Sequence, residues 1–142
     1  MRNEIKIQGL GDVHLIAPKS FVTINDLISE YGANQENRAR LARLSAAILG
    51  VLWDHDKNKL HPPLYDVASA DVIRYGGEVL EWLIVRKVVL PDLYSKTLPL
   101  FVELWELMPK EEEVAAVADN FPETGNVGSL GDEDRATMGA GA

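Results

Sequence analysis

The sequence predicts a mainly α fold: a small helical bundle of four to five helices with a short N-terminal β-hairpin. Three observations carry that prediction. Apolar residues recur at three-and-four spacing through the middle of the chain, the period of a helix with one buried face. Two blocks, Ala46–Trp53 and Tyr75–Leu83, combine small residues with large aliphatics and a Trp, which suits two helices in close contact. Strict polar–apolar alternation occurs near the start, at Glu4-Ile5-Lys6-Ile7-Gln8, the signature of a half-buried strand.

Taken in order, that strand leads through a Gly9-Leu10-Gly11-Asp12 turn into a second short strand, Val13 to Ala17, and Pro18 closes the hairpin. Ser20 suits the cap of a helix from about Phe21 to Tyr31, with Gly32 as its stop signal. The clearest helix spans roughly Gln35 to Trp53, where Leu41, Leu44, Ile48, Val51 and Leu52 line one face. The polar run Asp54–Lys59 and then Pro62-Pro63 end it. Asp66, Ser69 or Asp71 could cap a third helix from about Ala68 to Arg86. Gly76-Gly77 in its middle disfavours a helix by about 1 kcal/mol per Gly relative to Ala, so the pair reads as a packing notch.

A fourth helix is expected from about Asp92 to Met108, with Pro99 kinking or splitting it. Pro109 and Glu111–Glu113 suit the start of a short fifth helix that fades by Asn120. From Phe121 onward Gly, Ser, Thr and acids replace periodic apolar residues. The expected organisation is one helical domain with its hairpin over residues 1–120 and an acidic, Gly-rich disordered tail over 121–142.

The chain of 142 residues is 46% hydrophobic, enough to fill a single core. Its net charge is -8, and six of those charges fall from Pro109 onward. An acidic chain without a basic stripe is a poor nucleic-acid binder, because phosphate affinity rests on Lys and Arg. The local cluster Arg38, Arg40 and Arg43 reads as a solvated helix face. Cys is absent, which excludes disulfides and thiolate metal sites. No segment reads as a signal peptide or a membrane span, so a soluble cytoplasmic protein is expected.

Chemistry-bearing patterns fall short one by one. Asp54, Asp56 and Asn58 begin like a calcium loop, but Lys59 stands where Gly is needed and Tyr65 where a bidentate Glu should be. His55 and His61 flank the same loop without zincin spacing, and a solvated loop is the commoner meaning of such a stretch. Gly9-Leu10-Gly11 lacks the third glycine of a dinucleotide fingerprint. Glu78 with Glu81, and Glu103 with Glu106, are spaced as ordinary solvent-facing acids are. No catalytic residue, metal or cofactor is therefore assigned. Trp53, Trp82 and Trp105 remain. Core filling accounts for most of them, while Trp82, beside Glu78 and Glu81, suits a partner anchor. The expected partner-binding residues are Trp82, Phe101 and Trp105.

The Ala-rich helix ending in Trp53, then Asp71-Val72, Tyr75-Gly76-Gly77 and Val79-Leu80, resembles the tail assembly chaperones of long-tailed phages and related gene-transfer particles. Leu107-Met108-Pro109 followed by acids, Val114 and an acidic Phe121-Pro122 segment are similar too. The similarity spans about Phe21 to Thr124 and leaves out the Asp54–Pro63 loop. It implies a non-enzymatic chaperone that coats the tape-measure protein, helps recruit tail-tube protein, and is absent from the finished particle. Self-association is compatible with it. The competing readings are a structural tail-completion or connector subunit and, less favoured, a small metal-dependent enzyme using Asp54, His55, Asp56 and His61.

Overall fold

Ile5 and Ile7 are buried while Glu4, Lys6 and Gln8 face solvent, as the strand period of two requires. β1 (Glu4–Ile7) pairs antiparallel with β2 (Gly11–His14), Glu4 opposite His14 and Ile7 opposite Gly11. The second strand therefore starts two residues earlier than the alternation suggested. Gly9 and Gly11 at the turn have φ of 98° and 81°, the left-handed region that favours glycine. This structure, a computed structural model, describes residues 1–69 and 71–108. The expected fifth helix and the tail from Phe121 lie outside the described residues.

Four helices follow the hairpin among the described residues: α1 (Phe21–Ala33), α2 (Arg38–Leu52), α3 (Val72–Val85) and α4 (Leu90–Leu107). A short 3-10 turn, Val67–Ser69, precedes α3. Side-chain caps set three of the starts. Ser20 accepts from the Thr23 N–H, Asn37 from Arg40, and Asp71 from both Ile73 and Arg74. Two expected boundaries shift for that reason: α2 begins after Asn37 rather than at Gln35, and α3 after Asp71 rather than at Ala68. Gly32 does not stop α1, which runs on to Ala33 and is closed by Asn34, whose side-chain amide donates to the Glu30 carbonyl at 2.7 Å.

α3 ends in a Schellman turn. The Lys87 N–H donates to Ile84 and the Val88 N–H to Leu83, with Lys87 at φ 58°, a position usually given to Gly. α4 opens with Pro91 in its first turn, where a missing N–H is harmless. Pro99 neither splits nor ends α4. It lies exposed, while Leu93, Thr97, Leu100, Phe101 and Leu104 hold the opposite side of the same helix in the core.

α2 is buried over most of its C-terminal half and forms its most extensive contact with α3. The reason is reciprocal. A β-carbon on Gly76 would overlap the Arg43 carbonyl, only 2.6 Å from its carbon. One on Gly50 would lie 3.0 Å from both Tyr75 Cζ and Val79 Cγ2. Each helix thus offers a glycine to the other. Gly77 has no part in this: its nearest neighbour is the Arg43 side chain at 3.9 Å. The notch read from Gly76-Gly77 belongs to Gly76 on α3 and Gly50 on α2.

The hairpin is bound to α4 through charge. Arg2 donates from its backbone N–H and its guanidinium to Glu103, at 3.0 and 2.7 Å. Asp92 accepts the Gln8 N–H at 2.8 Å and pairs with Lys96, whose Nζ also donates to the Lys6 carbonyl. The Gln8 N–H, aided by Lys96, holds the Asp92 carboxyl below the ordinary carboxylate range. Desolvation pushes Glu103 up, but its bonds from the Arg2 backbone and guanidinium prevail and its pKa is lowered.

Two predictions follow from these contacts. Gly76→Ala is expected to destabilise by about 1–3 kcal/mol through overpacking, whereas Gly77→Ala stabilises by up to about 1 kcal/mol through helix propensity; urea midpoints read both. Lowered carboxylate pKa values add stability that is fully present above the unfolded values and lost as pH falls through the folded ones. Glu103→Gln should therefore lower the thermal midpoint at about pH 7, and the gap to the parent should be smaller at about pH 2.5, as the carboxylate is protonated through its lowered pKa. An equal gap at both pH values would remove Glu103 from the acid response.

Candidate functional site

α4 is apolar on two sides. Its inner side supplies Leu93, Leu100, Phe101 and Leu104 to the core. Leu98, Val102 and Trp105, at i, i+4 and i+7, form a second stripe that is exposed by 36%, 60% and 63%. Half-buried Tyr94, one turn before Leu98, extends the stripe toward α2. There Tyr94 and Leu98 join Arg38, Leu41, Ala42 and Ser45 around an open apolar groove of about 420 Å³. Stripe and groove share Tyr94 and Leu98, so they form one continuous surface about 16 Å long from Tyr94 to Trp105 at 1.5 Å per residue. Scattered exposed apolar side chains are normal on a protein, whereas a contiguous set with an adjoining groove is a candidate interaction site.

The three expected anchor residues have three different environments and share no ring contact among the described residues. Trp105 stands on the exposed stripe, as an anchor should. Phe101 does not: it is 2% exposed and its ring stacks on Tyr31 of α1 with centroids 4.4 Å apart. It borders the stripe, one turn from both Leu98 and Trp105, and it is the cover of Tyr31 that makes it a core residue. Trp82 is half-buried. Its ring meets Trp53 edge-on at 5.6 Å, and the Arg86 guanidinium covers it at 4.0 Å from the centroid. An indole so engaged presents little free apolar surface to a partner.

A single apolar face on α4 leaves Leu98 and Val102 without a role. Adding 98, 102 and 105 to 93, 97, 100, 101 and 104 covers more of the wheel than one core contact needs. That excess was the available signal.

The Asp54–His61 loop is more ordered than a solvated loop. Asp54 and Asn58 are both buried. The Asn58 side-chain amide mimics a strand partner, accepting from the His14 N–H at 2.9 Å and donating to the His14 carbonyl at 2.8 Å. Asp54 Oδ1 accepts the Asp56 and Lys57 N–H groups, closing a turn. Leu15 bridges Trp53, and Trp53 Nε1 donates to the Leu60 carbonyl at 2.9 Å. Asp54 Oδ1 is thus committed to backbone contacts. No group of three or more metal-ligating side chains converges among the described residues. Near α3, Tyr75 Oη donates to the Pro63 carbonyl at 2.7 Å; burial above all, with Glu78 and Tyr65 adding, drives its pKa well above the usual phenol value.

Arg38, Arg40 and Arg43 are exposed along the first half of α2, as expected of a solvated face. No described helix is long and apolar enough to cross a membrane. No family model, curated protein or solved structure matches the chain at a significant level.

Truncation separates the three anchors by stability. Phe101→Ala should cost about 3–5 kcal/mol as a core cavity, whereas Trp105→Ala should stay within about 0.5 kcal/mol of the parent, as exposed sites do. Trp82→Ala should fall between, since it loses an aromatic pair worth about 0.5–1.5 kcal/mol beyond burial. Urea unfolding of the three variants checks the order.

Proposed function

We propose that this chain is a non-enzymatic assembly chaperone of the phage tail type, which binds an amphipathic helical client, the tape-measure protein, through the outer face of α4. The observation that carries this reading is the contiguous Tyr94–Leu98–Val102–Trp105 surface with its groove against α2. Tape-measure proteins are long and helical in the family this sequence resembles, and an apolar stripe beside a groove is the form that receives a helix through anchors at i, i+4 and i+7. The resemblance itself rests on the α2 and α3 blocks, whose glycines make the α2–α3 contact. Trp105 is the central anchor, with Leu98 and Val102 beside it. Recruitment of tail-tube protein and action in the host cytoplasm belong to the same proposal.

The test is co-expression with the tape-measure protein encoded in the same genome. The expected result is a soluble complex that co-purifies, in which Trp105→Ala weakens binding by about 2 kcal/mol, roughly 30-fold, while the fold is kept. An insoluble client with no complex overturns the proposal. Recovery of the chain as a stoichiometric component of finished particles overturns it in favour of a structural tail subunit.

A further inference from the structure

His55 and His61 lie at the two ends of the tied-down loop, and their rings face each other. Nδ1 of one is 3.3 Å from Nδ1 of the other. The centroids are 5.5 Å apart and the planes differ by 10°. That centroid separation exceeds the nitrogen gap by about two imidazole radii, so the rings meet edge to edge with both Nδ1 atoms on the line between them. They are not stacked face to face.

We propose that His55 and His61 form a two-imidazole chelating site for a divalent transition-metal ion of the zinc class. The 3.3 Å gap carries the geometry. Two nitrogens bound at about 2.0–2.1 Å to one tetrahedral ion lie about 3.3–3.4 Å apart. The nitrogens are already at that spacing, and each ring needs only to turn by about 35° to aim its lone pair at a common ion. Both residues are at the surface, His55 half-buried and His61 exposed, which leaves room for that rotation.

The backbone on either side is held. Just after His55, the Asp56 and Lys57 N–H groups are bonded to Asp54; just before His61, the Leu60 carbonyl is bonded to Trp53 Nε1. Asn58, between them, is locked onto His14. The chelate is therefore largely preorganised, which lowers the ordering entropy of binding. In the metal-free pair one ring donates its Nδ1–H to the other. Binding replaces that proton, which moves through solvent to Nε2 of the same ring, so both neutral rings become Nε2–H tautomers and each gives its Nδ1 lone pair to the ion. With no third protein ligand converging among the described residues, water fills the remaining positions.

The test is zinc titration of the untagged full-length chain by calorimetry, with nitrogen-detected NMR of the imidazoles. Expected is a one-to-one complex whose affinity falls about tenfold or more in His55→Ala and in His61→Ala, but is unchanged in His14→Ala. Zinc should convert the Nδ1–H donor ring to the Nε2–H form, so that both rings carry their proton on Nε2. Equal affinity in the parent and the His55→Ala/His61→Ala double variant overturns the proposal, and so does zinc saturation that leaves both rings unchanged. Circular dichroism of each variant verifies that the fold is intact.

Discussion

The Arg43 carbonyl of α2 occupies space that any side chain at position 76 of α3 would need, and the rest of the structure depends on that close approach. Once the two helices touch at backbone level, Tyr75 is brought over Gly50 and its hydroxyl reaches the Pro63 carbonyl. That bond fixes the path of the chain between α2 and α3. The helix-weakening glycines are tolerated because close approach lets Val79, Leu83, Ile48 and Leu52 share one dense core. A separation larger by one methyl group would disturb the Tyr75 bond and the packing together.

The hairpin is too small to stand alone, and two sets of polar contacts hold it. One joins β1 to α4 through Arg2, Glu103, Asp92 and Lys96. The other joins β2 to the end of α2 through Asn58, Asp54 and the Leu15–Trp53 bridge. The hairpin therefore ties α2 to α4 at one end of the bundle. The buried faces of Ile5, Ile7 and Val13 then complete a core that the four helices leave open.

Most of the fold was legible in the sequence because local signals and tertiary packing agree. Ser20 and Asp71 are caps with oxygens at the right distance from an apolar run, and period-two alternation marks β1. Where expectation and structure part, a non-local partner decides. Val13 to Ala17 reads as a strand, but the hairpin pairing runs out at the Leu15 N–H, which donates to the Asn3 carbonyl. From Leu15 and Ile16 the chain pairs with Trp53 and Leu52 at the end of α2. Gly76 and Gly77 are indistinguishable by composition, and only the position of Arg43 separates them. Asp54 and Asn58 look like solvated loop residues because nothing local shows that the His14 backbone lies 44 residues back in the chain yet within hydrogen-bond reach. Phe101 and Trp105 both count as apolar positions on α4, and it takes Tyr31 to show which one faces inward.

α4 is where stability and the proposed recognition meet on one element. Its inner side is fixed by Leu93, Leu100, Phe101 and Leu104, and its ends by Asp92 and Glu103 through the hairpin. That leaves the outer stripe displayed on a rigid helix rather than on a loop. A rigid display lowers the ordering entropy of any binding to it. Pro99 fits the same logic. It lacks the N–H that would bond the Ser95 carbonyl, and because both residues lie on the exposed side water can take that place, so the helix continues through a residue that ends most others. The same division of labour explains why the aromatic residue adjoining the stripe, Phe101, is silent at the surface: it is the residue that holds the display in place.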